Sequence, residues 1–181
     1  MREAKKSGRI GDGQKERARP RATPTSLDEV IRLAVRFLAS RDRTVAQVER
    51  FLLSRGIASS SIEPTICRLT DLRYLDDLAY AQRWVERRLA TKPMGQERLK
   101  AELQAKGISD GLADGVLTEI FRAHGEEVFA SRAMQALSRQ GKRLAPVHIA
   151  RFLHQRGFSD EVIDRMMTEF KRNEDVVHEE E

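Results

Sequence analysis

Apolar residues fall at three- and four-residue intervals along most of this chain. Val30, Leu33, Ala34, Phe37 and Leu38 show the spacing first, and it predicts a helix with one apolar stripe. No alternating apolar pattern competes with it, so an all-α fold is expected. A second periodicity is laid over the first. The phrase Leu-x-x-Lys/Arg-Gly-Ile/Phe occurs at Leu52 to Ile57, Leu103 to Ile108 and Leu153 to Phe158, with Gly56, Gly107 and Gly157 spaced 51 and 50 residues apart. Self-similarity at such a period marks a stacked-repeat architecture, in which each unit buries its apolar face partly against its neighbours.

Counting from the shared glycine fixes the register. Eight residues before it stand Val48, Leu99 and Ile149, and four before it Leu52, Leu103 and Leu153, which is one helical face. Directly after it come Ile57, Ile108 and Phe158. Ile62, Ala113 and Ile163 then lie six residues on, Ile66, Leu117 and Met167 ten on, and Leu69, Ile120 and Phe170 thirteen on, a second face. A cation followed by glycine is the signal of a helix C-terminus, because glycine accepts the left-handed conformation and the cation meets the negative end of the dipole. Thr44 with Gln47 reads as a capping box, Ser109 and Ser159 are placed to N-cap the helix after the turn, and Pro93 and Pro146 sit near helix starts. Pro64 is expected in the first turn of its helix.

A further helix precedes each pair, at about 27–41, 77–91 and 126–140, with Leu27, Leu78 and Val128 in matching places. The predicted fold is three tandem three-helix repeats of about 50 residues, at 25–72, 73–123 and 124–172, forming an elongated, curved array. Residues 1–24, with three glycines and two prolines among charges, are expected to be a disordered basic arm. Residues 173–181 are expected to be an acidic tail.

Charge changes this picture more than composition does. The net charge of +5 divides into eight Lys/Arg against three Asp/Glu in residues 1–24, 25 against 20 in residues 25–172, and none against five in residues 173–181. The repeat region is therefore basic. No stretch is apolar enough for a membrane span, and the single Cys67 fits a reducing compartment, so a cytoplasmic protein with no membrane contact is expected. The four histidines show no metal-binding spacing, and no phosphate loop, metalloprotease helix or nucleophile elbow occurs; no cofactor is expected. Asp76 and Asp77 read as capping groups at a helix start.

The helix from Tyr80 to Lys92 turns Ala81, Val85 and Leu89 inward and leaves Arg83, Arg87 and Arg88 exposed beside Trp84, with Lys92 beyond; Arg98, Lys100 and Lys106 follow in the same unit. Such a face suits a phosphate backbone or an acidic protein patch. Arg55, Lys106 and Arg156 form a periodic cationic row that is first of all dipole compensation. A helix-turn-helix reader of DNA would carry Asn, Gln or Arg on the helix after the turn. Here that helix carries Glu63, Thr65 and Arg68, then Asp114, Thr118 and Glu119, then Asp160, Glu161, Asp164 and Arg165, a largely acidic set that argues against groove insertion.

The segments Ala34 to Ile57, Arg73 to Ala90 and Met94 to Ile108, with their Tyr-Leu-Asp-Asp and Glu-Leu-x-x-Lys-Gly-Ile phrases, resemble the RecX family of recombinase regulators over roughly residues 30–170. Tyr80 stands where that family usually has Phe, and the basic arm and acidic end lie outside its pattern. The resemblance implies a non-catalytic modulator, built of tandem three-helix repeats, that binds the RecA filament on DNA and restrains ATP hydrolysis, strand exchange and SOS coprotease activity; a monomer is expected. Arg83, Arg87, Arg88, Lys92, Arg98, Lys100 and Lys106 are the expected contact residues. The alternative is a sequence-nonspecific protein that binds single- or double-stranded DNA without a recombinase.

Overall fold

A computed structural model of the chain describes residues 26–139 and 145–179. Among these residues the elements are nine α-helices with no strand. They run as α1 (Leu27–Leu38), α2 (Val45–Ser54) and α3 (Ser59–Asp71), then α4 (Asp77–Thr91), α5 (Gln96–Ala105) and α6 (Asp110–His124), then α7 (Glu126–Ser138), α8 (Pro146–Gln155) and α9 (Asp160–Glu179). The strongest helix-to-helix packing lies within each trio, so the chain is an array of three tandem three-helix units. The expected basic arm, residues 1–24, lies outside the described residues. Where an acidic tail was expected, α9 continues as far as Glu179.

Local chemistry explains most helix ends. Ser26 with Glu29 and Thr44 with Gln47 form reciprocal capping boxes, and the Asp76 carboxylate accepts from the Ala79 N–H, satisfying donors that a helix start leaves orphaned. Each repeated glycine sits at positive φ, +76°, +88° and +74° for Gly56, Gly107 and Gly157. The N–H of Ile57, Ile108 or Phe158 returns to the carbonyl of Leu52, Leu103 or Leu153, the six-to-one bond of a Schellman turn.

Two sequence expectations fail here. Pro64 lies inside α3, not in its first turn, because the serine run carries the helix back to Ser59. The ring deprives the Ser60 carbonyl of its helical donor, but Ser60 and Pro64 are both exposed, so the loss falls on the solvent side of α3. Ser109 occupies the N-cap position of α6 without a side-chain cap bond, and Asp110 faces the dipole instead. Ser159 does accept from the Val162 N–H, at 3.4 Å.

The glycine-anchored register is the core. The positions eight and four residues before the glycine, one after and six after are buried in all three units. The positions ten and thirteen after it are buried or pack partly buried against the same clusters. The apolar interior is nonetheless in two parts. Val30, Ala34, Val48, Leu52, Ile57, Ile62, Leu69 and Leu75 form the core of the first unit alone. The cores of the second and third units are one continuous cluster, crossed by the edge-to-face pair Phe121–Phe129 at 5.2 Å.

A hydrogen bond to the carbonyl that precedes the turn glycine joins successive units, with a side-chain donor at one joint and a backbone donor at the other. The Thr44 hydroxyl, at the start of α2, donates to the Lys106 carbonyl at the end of α5 over 2.6 Å. The Gly95 N–H, at the start of α5, donates to the Arg156 carbonyl at the end of α8 over 3.0 Å. The turns at Gly107 and Gly157 thus dock on the N-cap of the second helix of the preceding unit. The approach is close: a Cβ on Gly107 would lie 2.3 Å from the Ala46 Cβ, and one on Gly157 would lie 2.6 Å from the Arg98 backbone nitrogen. Glycine is required at both positions by space as well as by φ.

Candidate functional site

The joint between the first and second units is lined with charge. Thr44 is wholly buried there, and the Val45 N–H donates 2.9 Å to the Asp77 carboxylate. Asp77, expected only as a helix-start group, therefore ties α2 to α4, and its burial raises its pKa above the ordinary aspartate value. Beside this tie opens a cleft of about 390 Å³ lined by Arg41, Asp42 and Gln47 from the first unit and Tyr80, Arg83, Trp84, Arg87 and Lys106 from the second.

Trp84 organises the cations. The Lys106 ammonium lies 3.5 Å from the indole centroid, and the Arg87 and Arg88 guanidinium carbons lie 5.0 and 5.4 Å from it, all within cation–π range. Tyr80 runs parallel to the indole at 6.3 Å. Burial holds the Lys106 ammonium below the usual lysine value; Arg88, Arg41 and Arg87 push it further down against the pull of Glu102. Arg55 and Arg156 cover Phe51 and Phe152 in the same manner, at 5.1 and 4.5 Å, so the cationic row is also a row of cation–π contacts.

The seven cations expected on a contact surface separate into groups. Arg87 and Lys106 meet at Trp84, and Arg83 lines the same cleft while pairing with Asp42 at 2.9 Å. Arg88 is held by Glu102 in a two-pronged bridge of 2.7 and 2.6 Å, which lowers the Glu102 pKa. The Trp84 N–H makes no hydrogen bond of standard geometry, although it adds to the stabilisation of the Glu102 carboxylate. Lys100 pairs with Asp114 at 2.7 Å. Lys92 is exposed at the end of α4, and Arg98 lies against Gly157 at the other joint. Sequence reasoning missed Arg41, which reaches the cleft from the preceding unit. The Arg41-Asp42-Arg43 run just before the Thr44 cap was the available signal.

Among the described residues no group of three or more His, Cys, Asp or Glu is arranged to hold a metal ion, and no helix is long and apolar enough to cross a membrane. Fold and cleft together define a tandem three-helix-repeat protein with an electropositive joint. Residues 31–69 and 76–117 match the family models described as the first and second three-helix domains of RecX. The chain is 30% identical over 135 residues to the regulatory protein RecX of Treponema pallidum, covering 75% of this chain and 81% of that one. It is 33% identical over 135 residues to that of Chlorobaculum tepidum, covering 72% and 81%. The crystal structure of RecX from Lactobacillus salivarius has the same fold, with a TM-score of 0.71 at 24% identity over 80% of this chain and 96% of that one. The chain belongs to the RecX family of regulatory proteins.

Proposed function

We propose that this chain is a non-catalytic negative regulator of the RecA recombinase, which binds the RecA nucleoprotein filament and lowers its ATPase, strand-exchange and SOS coprotease activities. Membership of the RecX family carries this reading, and the cationic surface of the second unit supports it. A filament offers DNA phosphate and acidic protein side by side, and exposed cations without ion pairs suit both. Arg87, Lys92 and Arg98 are the members of the expected surface to test first. They are exposed, and among the described residues no carboxylate is paired with them.

The test is RecA ATPase on single-stranded DNA with increasing amounts of this protein. The wild-type chain lowers the rate. The triple variant Arg87→Glu, Lys92→Glu, Arg98→Glu inhibits at least tenfold less well on the order expected for several lost phosphate or carboxylate contacts, with helicity and melting unchanged. Full inhibition by the variant would remove these residues from the contact. A wild-type chain without effect on RecA would refute the function.

A further inference from the structure

Four cations and one carboxylate line the cleft at the first joint, and that carboxylate, Asp42, is occupied by Arg83. Glu102, the nearby acid that acts on Lys106, is occupied by Arg88. Among the described residues no carboxylate is ion-paired with Arg41, Arg87 or Lys106, which face one cleft. Burial and like charge together press down on the Lys106 ammonium, and an anion entering the cleft relieves the part due to like charge.

We propose that this cleft is a phosphate subsite, which takes one phosphodiester of a nucleic-acid backbone between Arg41 of the first unit and Arg87 and Lys106 of the second. Three features select phosphate. The planar carboxylate of Glu102 is satisfied by the single guanidinium fork of Arg88 within this same unit, whereas cations converging from three side chains suit the tetrahedral phosphodiester, whose two non-bridging oxygens can be approached from several directions. Lys106 and Arg87 already rest on the indole, so less side-chain freedom is lost on binding. Lys106 sits 3.5 Å over the ring, which occupies the face a base would stack on; the cleft therefore responds to charge and not to base identity.

Because the gripping residues belong to two units with separate apolar cores, occupancy also fastens the first unit to the second. The inference relies on the recombinase-regulator reading only for nucleic acid as the source of the phosphate. The same chemistry is present in free pyrophosphate, and the experiment separates the two.

Trp84 is the only tryptophan of the chain, so its emission reports on this cleft. The full chain is titrated with oligothymidylate at stepped salt, with inorganic pyrophosphate and poly-glutamate as separate arms, and binding is confirmed by anisotropy of a labelled oligonucleotide. Oligothymidylate should change the emission saturably. The double variant Arg41→Gln, Arg87→Gln should bind about tenfold more weakly, and its log-affinity against log-salt slope should be shallower by about two. Arg122→Gln, Arg151→Gln removes the same charge from exposed positions of α6 and α8 and should change affinity less than about threefold.

Equal losses in the two double variants would show diffuse attraction and overturn the subsite. So would an emission unaffected by oligothymidylate, or saturation by pyrophosphate or poly-glutamate alone. A melting scan of each variant checks that it is folded. No recombinase is present in these titrations, so a negative result leaves the regulator reading intact, and a failure to inhibit RecA leaves the subsite intact.

Discussion

The two joints of the array share a docked glycine turn and an acid that closes it, since the Gln96 N–H donates 3.2 Å to Glu126 at the second joint as the Val45 N–H does to Asp77 at the first, and they differ in the cores on either side. At the second joint the turn sits over an unbroken apolar core, with Phe121 against Phe129 and the Arg156 guanidinium donating 2.9 Å to the Pro93 carbonyl. At the first joint the apolar cores stop on either side. The space between them is held by Thr44, by Asp77 on the Val45 N–H and by the exposed pair Arg83–Asp42. Apolar burial is non-directional and proportional to area, so a shared core resists separation of the units. Polar ties are individually weak and exchange readily with water. One docked turn thus serves a joint with a shared apolar core and a charged joint, and the charged one holds the cleft.

The largest test of this difference is cavity formation. Leu52 and Leu103 are both fully buried in matching register, and truncation of either to Ala should cost about 2–5 kcal/mol. Their reach should differ. Leu52→Ala should raise amide exchange across α1 to α3 and leave α7 to α9 protected, whereas Leu103→Ala should lower protection from α4 to α9 together. Exchange that rises over the whole chain in Leu52→Ala would mean that the two cores unfold as one.

Alanine at the turn glycines comes next. Gly157→Ala meets the backbone of Arg98, which cannot move aside, and should cost about 3 kcal/mol in a denaturant melt. Gly107→Ala meets the Ala46 methyl, so Ala46→Gly should recover part of its loss. At Gly157 the added methyl meets the Arg98 Cβ and backbone nitrogen alike, both at 2.6 Å, so Arg98→Gly should recover less than Ala46→Gly does, and full recovery would contradict the backbone clash.

These glycines also mark how far sequence could see. Period, register and core were legible because they rest on spacings within one helix or one turn: Val48 to Leu52 to Gly56, then Ile62 and Leu69. The joints were not. Thr44 and Lys106 are 62 residues apart, and Gly95 and Arg156 are 61 apart, and no local pattern announces that a carbonyl before a glycine will accept from the cap of another helix. Lys106 and Arg156 were read as dipole charges, and their cations do lie at helix ends; their carbonyls and their aromatic partners depend on tertiary packing. For the same reason the cationic face looked uniform. Glu102 reaches Arg88 across the α4–α5 turn, Asp114 reaches Lys100 from α6 and Asp42 reaches Arg83 from the first unit, so three expected contact residues have internal partners that helical spacing does not reveal.

A smaller effect should separate the Arg88–Glu102 bridge from the cleft beside it. Arg88 keeps the folded Glu102 pKa below the reference 4.5. The bridge therefore adds stability above the unfolded pKa and loses it as pH falls through the folded value. Glu102→Gln should be less stable by about 1 kcal/mol at neutral pH, and wild type and variant should converge in acid. Asp77 acts in the opposite sense. Burial raises its folded pKa above 3.8, so its contribution declines as pH rises from the unfolded to the folded value. In Asp77→Asn, where the amide oxygen still accepts from Val45, that decline should be absent.

The smallest expected change in stability belongs to Asp42→Asn, and there the first joint should separate binding from folding. The Arg83 and Asp42 side chains are 56% and 68% exposed, and an ion pair that open to water contributes little to folding, so melting should be unchanged. Binding should not be. The substitution removes the only carboxylate lining the cleft and releases Arg83 beside Arg41, Arg87 and Lys106. Affinity for oligothymidylate should rise about threefold at low salt, with a steeper salt dependence, because one more cation is available to displace counterions. Asp114→Asn, which frees Lys100 away from the cleft, makes the same charge change and should leave Trp84 emission unaltered. Equal gains in the two variants, with equal effects on the indole, would show that the joint responds only to net charge and that its geometry is immaterial.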